Sequence, residues 1–217
     1  RFTSPHPKDF RREVIAAMAE CESVCEHAHL PLQSGSTIVL KAMRRTYSRE
    51  RYLRLVDDLR GAIHDLALTT DIIVGFPGET EAHFQHTLDM LDELRFDVVH
   101  VAMYSPRPGT VSATEMVDDI PRQEKRRRLH EVEQLQKRIA AEINTRYLGR
   151  TVDVLVEGTA KGRWYGRTRT NKLVHFESAQ PLAGRVVDVE VTATQPWYLE
   201  GALAKGMFST EPLLILV

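Results

Sequence analysis

The amino-acid sequence predicts an α/β domain with a parallel sheet, followed by a small all-β domain. Three apolar segments each run into Gly, Pro or Ser, and at least two continue into a helical pattern: residues 27–36, 66–80 and 96–110. Repeated strand, loop and helix units indicate parallel strands. Beyond a long helical stretch the segments are short, β-branched and separated by turns. That pattern is typical of a small barrel or sandwich.

Two crossover helices are predicted from capping residues that precede apolar stripes. Ser48 precedes one stripe, formed by Tyr52, Leu55, Leu59 and Ile63. Thr80 is a candidate N-cap for the other, formed by Phe84, Leu88, Leu91 and Leu94. Spacings of three and four residues place each stripe on one helix face, which would cover the sheet.

A third, longer helix is predicted over residues 121–146, with Pro at its start and Gly149 after its end. This helix closes the α/β domain, which we expect to span residues 1–146. The five short strands that follow define an all-β domain at 147–205. Residues 206–217 form a mostly apolar tail.

Composition excludes disordered and fibrous classes, since 42% of the residues are hydrophobic and 27% are charged. The formal net charge of −1 means that any nucleic-acid surface must be local. No apolar run reaches the length of a membrane span, and the start lacks a secretory signal. The only two cysteines, Cys21 and Cys25, give no disulfide framework. We therefore expect a cytoplasmic protein without membrane association.

Polar side chains follow or interrupt the predicted strands where ligands bind in α/β folds. Gln33 and Ser34 offer hydrogen bonds suited to a ribose or a carboxylate, and Arg45 offers a bidentate fork. Asp71 interrupts an apolar run, where a carboxylate is costly unless it is paired. Asp71 is therefore either a buried cap or salt-bridge residue, or a residue of a ligand site. For the Gly-x-x-Gly of Gly75 and Gly78, a tight turn is the simpler interpretation.

A cluster of basic and aromatic residues in the all-β domain indicates contact with RNA. Five cations fall within twelve residues, and two aromatic residues lie between them: Lys161, Arg163, Trp164, Tyr165, Arg167, Arg169 and Lys172. Cations follow phosphates, while aromatic faces stack on unpaired bases. The alternative is a solvated hairpin with Trp164 as a core anchor. The basic run of the long helix is either its solvated face or an extension of the RNA contact.

Several long stretches, in this order, resemble the tRNA methylthiotransferases of the radical S-adenosylmethionine superfamily: RFTSPHPKDF, HLPLQSGS, VLKAMRRTYS, TTDIIVGFPGETEAHF, YSPRPGT and GRTRTNKLVHF. The resemblance runs from Arg1 to about Leu203. It implies the second half of a six-stranded, partial (β/α)6 TIM-like barrel, followed by a small OB-like RNA-binding barrel, the TRAM domain. PLQSGS, TDIIVGFPGE and YSPRPGT would then belong to the fourth, fifth and sixth barrel strands.

The resemblance implies transfer of a methylthio group to C2 of N6-dimethylallyladenosine beside the anticodon. The cofactors would be S-adenosylmethionine and two [4Fe–4S] clusters, and the partner would be the anticodon stem-loop of tRNA, with no obligate protein partner. The family's cluster motif is Cys-x-x-x-Cys-x-x-Cys, but Ala28 stands at the third position after Cys21 and Cys25. We therefore expect the cluster cysteines upstream and the isolated chain to be inactive. Cys25, His27 and His29 occupy alternate positions, so they could share one side of a strand. There they would either pack as ordinary strand residues or bind a metal ion.

The resemblance also implies individual site residues. The cofactor side would comprise Gln33, Ser34, Arg45 and Asp71, with Gly35 letting the chain turn into the next helix. The substrate side would comprise Tyr104, Arg107 and Thr110. Two other functions stay open: a stand-alone RNA-binding module without catalysis, and a related methylthiotransferase acting on threonylcarbamoyladenosine in tRNA or on a ribosomal-protein aspartate. HLPLQSGS and SPHPKDF favour the dimethylallyladenosine substrate.

Overall fold

The computed structural model describes residues 1–2 and 6–208. The chain divides into two compact units, one over residues 1–139 and one from residue 140 onward. Part of the SPHPKDF motif, residues 3–5, lies outside the described residues. So does most of the predicted tail, since residues 206–208 end the last strand and 209–217 are not described.

The first unit is an α/β unit whose three strands are all parallel, in the order β1, β2, β3. After a short 3-10 helix (Pro7–Asp9), its elements are α1 (Arg12–Glu20), β1 (His27–His29), α2 (Thr37–Ala42), α3 (Arg49–Ala62), β2 (Ala67–Val74), α4 (Glu81–Leu94), β3 (Val98–Met103), α5 (Val111–Glu115) and α6 (Arg122–Thr145). Helix α6 continues past residue 139 into the second unit. The predicted parallel α/β architecture is confirmed.

Both predicted capping residues start the helices that they were expected to start. The Ser48 hydroxyl accepts a hydrogen bond from the Arg51 N–H at the start of α3. At α4 the Thr80 hydroxyl accepts from the His83 N–H, and the His83 imidazole accepts from the Thr80 N–H. This reciprocal pair is a capping box, which satisfies two backbone donors that a helix start leaves open.

The two faces of the sheet differ in character. Leu68, Ile72 and Val74 of β2 are buried in a core that includes Tyr52 of α3 and Phe84 of α4. Alternate residues of a strand point to opposite faces. Asp71 and Ile73 consequently lie on the other face, where they are only half-buried. One face is thus covered by helices, and the other carries the polar groups.

The glycine of the PLQSGS turn also has a packing role. The left-handed residue is Gln33, at φ 69°, and Gly35 is not in that region. A Cβ on Gly35 would lie 2.3 Å from the His86 carbonyl oxygen and 2.5 Å from the Thr87 Cα in α4. Gly35 lies at the bend before α2, and it also lets the backbone of α4 approach closely.

The second unit contains a closed five-stranded barrel, as predicted. Its strands are β4 (Thr151–Ala160), β5 (Arg163–Thr168), β6 (Leu173–Glu177), β7 (Val186–Thr194) and β8 (Leu199–Phe208), in the order β4, β5, β6, β8, β7. All pairs are antiparallel except β6 with β8. The interior is apolar, with Val154, Val174, Phe176 and Val189 fully buried. Among the described residues, no helix has the length and apolarity needed to cross a membrane.

Candidate functional site

Six residues that the sequence analysis named for the α/β domain line one cavity. The cavity has a volume of about 720 Å³, and the six residues are Gln33, Arg45, Asp71, Tyr104, Arg107 and Thr110. It runs along β2 and β3 and the loops at their carboxyl ends, where parallel sheets bind ligands. Ser34 is the exception: it is fully buried, and its hydroxyl accepts from the Ser36 N–H instead of lining the cavity.

A hydrogen-bonded chain on the polar face of the sheet orients Asp71. His29 Nε2 lies 3.3 Å from Asp71 Oδ2, while His29 Nδ1 lies 2.9 Å from the Thr69 hydroxyl. The Asp71 side chain is 36% exposed, against 11% for His29. Asp71 therefore has a buried hydrogen-bond partner, His29, and is also accessible to a ligand. One oxygen is held by His29, and the carboxylate still faces the cavity.

The strand end at Gln33 is locked in an uncommon conformation. The Gln33 N–H donates to the Asp71 carbonyl, and the Gln33 carbonyl accepts from the Ile73 N–H. These bonds extend the β1–β2 pairing across the break after β1 and hold a non-glycine residue at positive φ. Strained residues of this kind persist where surrounding contacts over-determine them, commonly at ligand sites. The backbone of Gln33 is thereby held at the edge of the cavity that this residue lines.

The loop after β3 supplies the outer wall of the cavity. The Tyr104 ring packs edge-on against Phe76, with ring centroids 5.1 Å apart, and its buried hydroxyl has no partner among the described residues. Arg107 and Thr110 are exposed, and the Thr110 hydroxyl donates to the Arg107 carbonyl. This wall combines an aromatic face, an unpaired hydroxyl and a cation.

The cavity also contains a histidine that was not predicted from the sequence. His100 in β3 lines the cavity and pairs in register with Asp71, and its ring centroid lies 6.0 Å from that of His29. Alternation within VVHVAM places His100 opposite the core face, but only the pairing register brings it beside Asp71. Within the described residues, no three His, Cys, Asp or Glu side chains are arranged to hold a metal ion. His27 and His29 are instead packed in β1, where both lie near Thr69.

The basic cluster of the barrel divides into surface and interior residues. Arg163 lies 3.3 Å from Glu200 and Arg167 lies 3.6 Å from Glu157, both half-exposed. Lys161 is exposed in the turn before β5, while Arg169 is half-exposed. Lys172 and Trp164 differ from these. Lys172 is 7% exposed beside the Tyr147 ring, and Trp164 packs against the barrel core and donates to the Ser178 carbonyl.

Three aromatic rings form a row across the outside of the barrel. Tyr165 of β5 faces His175 of β6 at 6.3 Å, and His175 meets Tyr198 at 5.3 Å, nearly perpendicular. Burial, followed by the charge of Arg163, lowers the pKa of His175, so this ring is neutral at pH 7. Tyr165 was predicted from the sequence, but His175 and Tyr198 were not, because only the β6–β8 pairing brings those two together. Rings flanked by Arg163 and Arg167 suit unpaired bases between phosphates.

Comparison with known proteins assigns both units. The Radical SAM superfamily model matches residues 1–91, and the TRAM domain model matches residues 145–204. The fold of coproporphyrinogen III oxidase from Escherichia coli, a Radical SAM enzyme, is similar with a TM-score of 0.54 at 14% identity, covering 86% of this chain and 45% of that chain. At that identity the likeness shows the fold alone.

Among curated proteins, the tRNA-2-methylthio-N(6)-dimethylallyladenosine synthases of Acetivibrio thermocellus and Moorella thermoacetica are 48% and 46% identical. They match 94% and 95% of this chain, but the chain covers only 43% and 47% of their lengths. The chain thus spans less than half of either relative. By these matches the chain is similar to the tRNA methylthiotransferases of the Radical SAM superfamily over most of its length, and residues 145–204 match a TRAM domain.

Proposed function

We propose that this chain is the part of a tRNA methylthiotransferase that walls the cofactor and substrate cavity and binds tRNA. The reaction of the whole protein would add a methylthio group to C2 of N6-dimethylallyladenosine next to the anticodon. The observation that carries the proposal is the shared cavity, since residues far apart in sequence, from Gln33 to Thr110, surround it. The activity named for the similar synthases supports this substrate.

The donor set of the cavity fits S-adenosylmethionine. The Asp71 carboxylate and the Gln33 amide suit ribose hydroxyls, and the Arg45 guanidinium suits the amino-acid carboxylate. When bound in this superfamily, S-adenosylmethionine supplies a 5′-deoxyadenosyl radical and, in methylthiotransferases, the methyl group. The residues of this chain would bind and orient the ligands and exclude water around them.

The residues present do not fit an iron–sulfur cluster. A [4Fe–4S] cluster is held by thiolates, and the sequence has only Cys21, which is exposed, and Cys25, which is half-buried. The described residues contain no three-ligand group. Both clusters would be held by protein outside this sequence, and the isolated chain would not catalyse the reaction.

The TRAM barrel would hold the anticodon stem-loop. Its aromatic row offers stacking faces, and Arg163 and Arg167 at its flanks offer charge for phosphates. A tRNA substrate would place the protein in the cytoplasm. Arg163 and Arg167 each pair with one carboxylate, whereas Arg127 and Arg128 of α6 each pair with three, from the set Glu79, Glu81, Glu124 and Glu131. Those two cations therefore give less support to an RNA contact along the long helix.

Calorimetric titration with S-adenosylmethionine tests the cavity. The wild-type chain is expected to bind, and Arg45→Gln is expected to weaken binding by about tenfold or more, because a charge-assisted pair is lost. Arg54→Gln, an exposed residue of α3 that does not line the cavity, is the matched control. Equal affinities for the Arg45 and Arg54 variants would remove the assignment of the cofactor carboxylate.

The closed barrel favours one alternative, a stand-alone RNA-binding module without catalysis, because it needs no other element to complete its strand pairing. The two functions differ in ligand binding. Binding of RNA by a folded chain that shows no affinity for S-adenosylmethionine, even at millimolar concentration, would favour the module.

A further inference from the structure

The first turns of α6 contact both loops that wall the cavity. Lys125 and Arg128 are among the most buried cations of the chain, 5% and 4% exposed. The loop after β2 contains Gly75 and Glu79, and the loop after β3 begins at Tyr104. Cations this deeply buried need specific partners. Lys125 and Arg128 both have such partners in these loops.

Lys125 contacts and stabilises the loop after β3. Its ammonium donates to the Tyr104 carbonyl at 3.3 Å, lies 5.1 Å from the centre of the Tyr104 ring, and pairs with Asp118 at 2.5 Å. Its aliphatic stem fills the space beside Gly75, where a Cβ would lie 2.4 Å from Lys125 Cγ. Gly75 also needs its positive φ of 70°. One side chain thus contacts both loops.

Arg128 contacts and stabilises the loop after β2. Its guanidinium donates to a carboxylate oxygen and to the carbonyl of Glu79, each at 2.8 Å. The same carboxylate oxygen accepts from the Gly75 N–H at 2.6 Å, and Glu79 is 1% exposed. A buried carboxylate is tolerated only when it is paired and hydrogen-bonded. The turn at Gly75 therefore depends on Arg128 through Glu79.

We propose that Lys125 and Arg128 are positioning residues that hold the two loops as walls of the cavity. This role rests on the proposed function, because it matters for catalysis only if the cavity binds the cofactor and the adenosine. Neither residue lines the cavity itself. They act through Gly75, Glu79 and Tyr104, and the loops are expected to loosen without them while the core stays folded.

Hydrogen–deuterium exchange of the full chain tests the proposal. Lys125→Met is expected to speed backbone exchange about tenfold in residues 75–79 and 104–110, because a charge-assisted bond and a ring contact are lost. Residues of β2 and α4 are expected to keep their protection. Lys125→Arg, which keeps the stem and the charge, should restore most of the protection.

Arg127→Met is the matched control. Arg127 is the neighbour of Arg128 and pairs with Glu81, Glu124 and Glu131, but its side chain is 40% exposed. Because Arg128→Met alone leaves a buried carboxylate unpaired, it is compared with the double variant Arg128→Met, Glu79→Gln. Loop exchange in the Lys125 and double variants no faster than in the Arg127 control would overturn the proposal. So would equal acceleration across β2 and α4, since that is the mark of global unfolding.

Affinity for S-adenosylmethionine separates this proposal from the proposed function. Weaker binding by Lys125→Met, with the Arg127 variant unchanged, supports a positioning role. Faster loop exchange with unchanged affinity would contradict it. Failure of the wild-type chain to bind S-adenosylmethionine would refute the cofactor assignment, and loop exchange would still decide whether Lys125 and Arg128 hold the loops.

Discussion

The two units solve the problem of strand edges in opposite ways. In the barrel each strand pairs on both sides, so the ring of hydrogen bonds is closed around an apolar interior. In the α/β unit, β1 and β3 each pair only with β2 among the described residues. Exposed edges favour pairing with another chain, whereas closure removes them.

The difference extends to where the polar groups lie. The barrel keeps Tyr165, His175 and Tyr198 on its outer surface. The open sheet keeps His29, Asp71 and His100 on the face that its helices leave uncovered. A closed unit can be stable and bind ligand on its outside, while an open sheet can offer its own face as part of a site. Stability and function are therefore expected to separate differently in the two units.

The largest expected effects come from removing a buried ring in the core of either unit. They test whether the two units unfold independently. Phe84→Ala in the α/β unit and Phe176→Ala in the barrel each empty a fully buried site, at a cost of about 3–5 kcal/mol to the unit concerned. Both tryptophans, Trp164 and Trp197, lie in the barrel unit, so their fluorescence reports its unfolding. In urea, only Phe176→Ala should shift the fluorescence transition. A comparable shift with Phe84→Ala would show that the two units unfold as one.

A smaller effect tests the close approach at Gly35. Gly35→Ala is expected to destabilise the α/β unit by about 1–3 kcal/mol, because its Cβ would meet the backbone of α4. Gly61→Ala in α3 is the control, since no atom lies within 4 Å of its Cβ position. There alanine should stabilise the helix by up to about 1 kcal/mol. Urea unfolding followed by circular dichroism at 222 nm measures both, and equal effects would contradict the role assigned to Gly35.

Acid is expected to weaken the α/β unit through His27. Burial lowers the pKa of His27 to about 4 from its usual 6.5. Because the folded state binds the proton less readily, the stability from neutral His27 is present above pH 6.5 and is lost as the pH falls toward 4. At pH 5 the loss should be about 1–2 kcal/mol. His27→Gln should flatten this dependence, as measured by thermal unfolding at pH 7 and 5. A variant as acid-sensitive as the wild type would contradict this role.

The smallest expected effect is in the barrel, where lowering the pH should increase the stability instead of decreasing it. Asp153 and Asp188 face each other in the β4–β7 pairing. Burial and the facing Asp188 carboxyl raise the pKa of Asp153, so this pair favours the folded state at low pH and loses that contribution as the pH rises through the folded pKa. Asp188→Asn should stabilise the barrel slightly at pH 7 and not at pH 3, by tryptophan fluorescence. Stabilisation that is the same at both pH values would argue against charge repulsion.

Much of the fold could be predicted because it depends on local patterns. Ser48 and Thr80 mark helix starts through their own hydroxyls, and the five strand-like runs of the second unit became the five barrel strands. Gln33 and Asp71 stood out because polar groups next to apolar strands are costly. Such features can be recognised within a few residues of sequence.

The remaining features depend on contacts between distant segments. His100 joins Asp71 only through the β2–β3 register, and His175 joins Tyr198 only through the parallel β6–β8 pair. The packing role of Gly35 could not be predicted, because its close neighbour, His86 of α4, is remote in sequence. The burial of Lys125 and Arg128 in the basic run of α6 could not be predicted, because charge alone does not show which side chains are buried.

The most direct test of the account compares two anticodon stem-loops, one with N6-dimethylallyladenosine and one unmodified, for binding to the wild-type chain across a salt series. We expect binding that weakens as salt rises and that favours the modified loop. It should fall in the Arg167→Ala, Arg169→Ala double variant but not in Arg185→Ala, a control at an exposed arginine directly before β7 and outside the basic cluster. Preference for the modified loop would mean that the cavity recognises the adenosine substituent. Absence of binding at low salt by a folded chain would contradict the RNA assignment, and equal affinity for both loops would contradict the substrate role of the cavity.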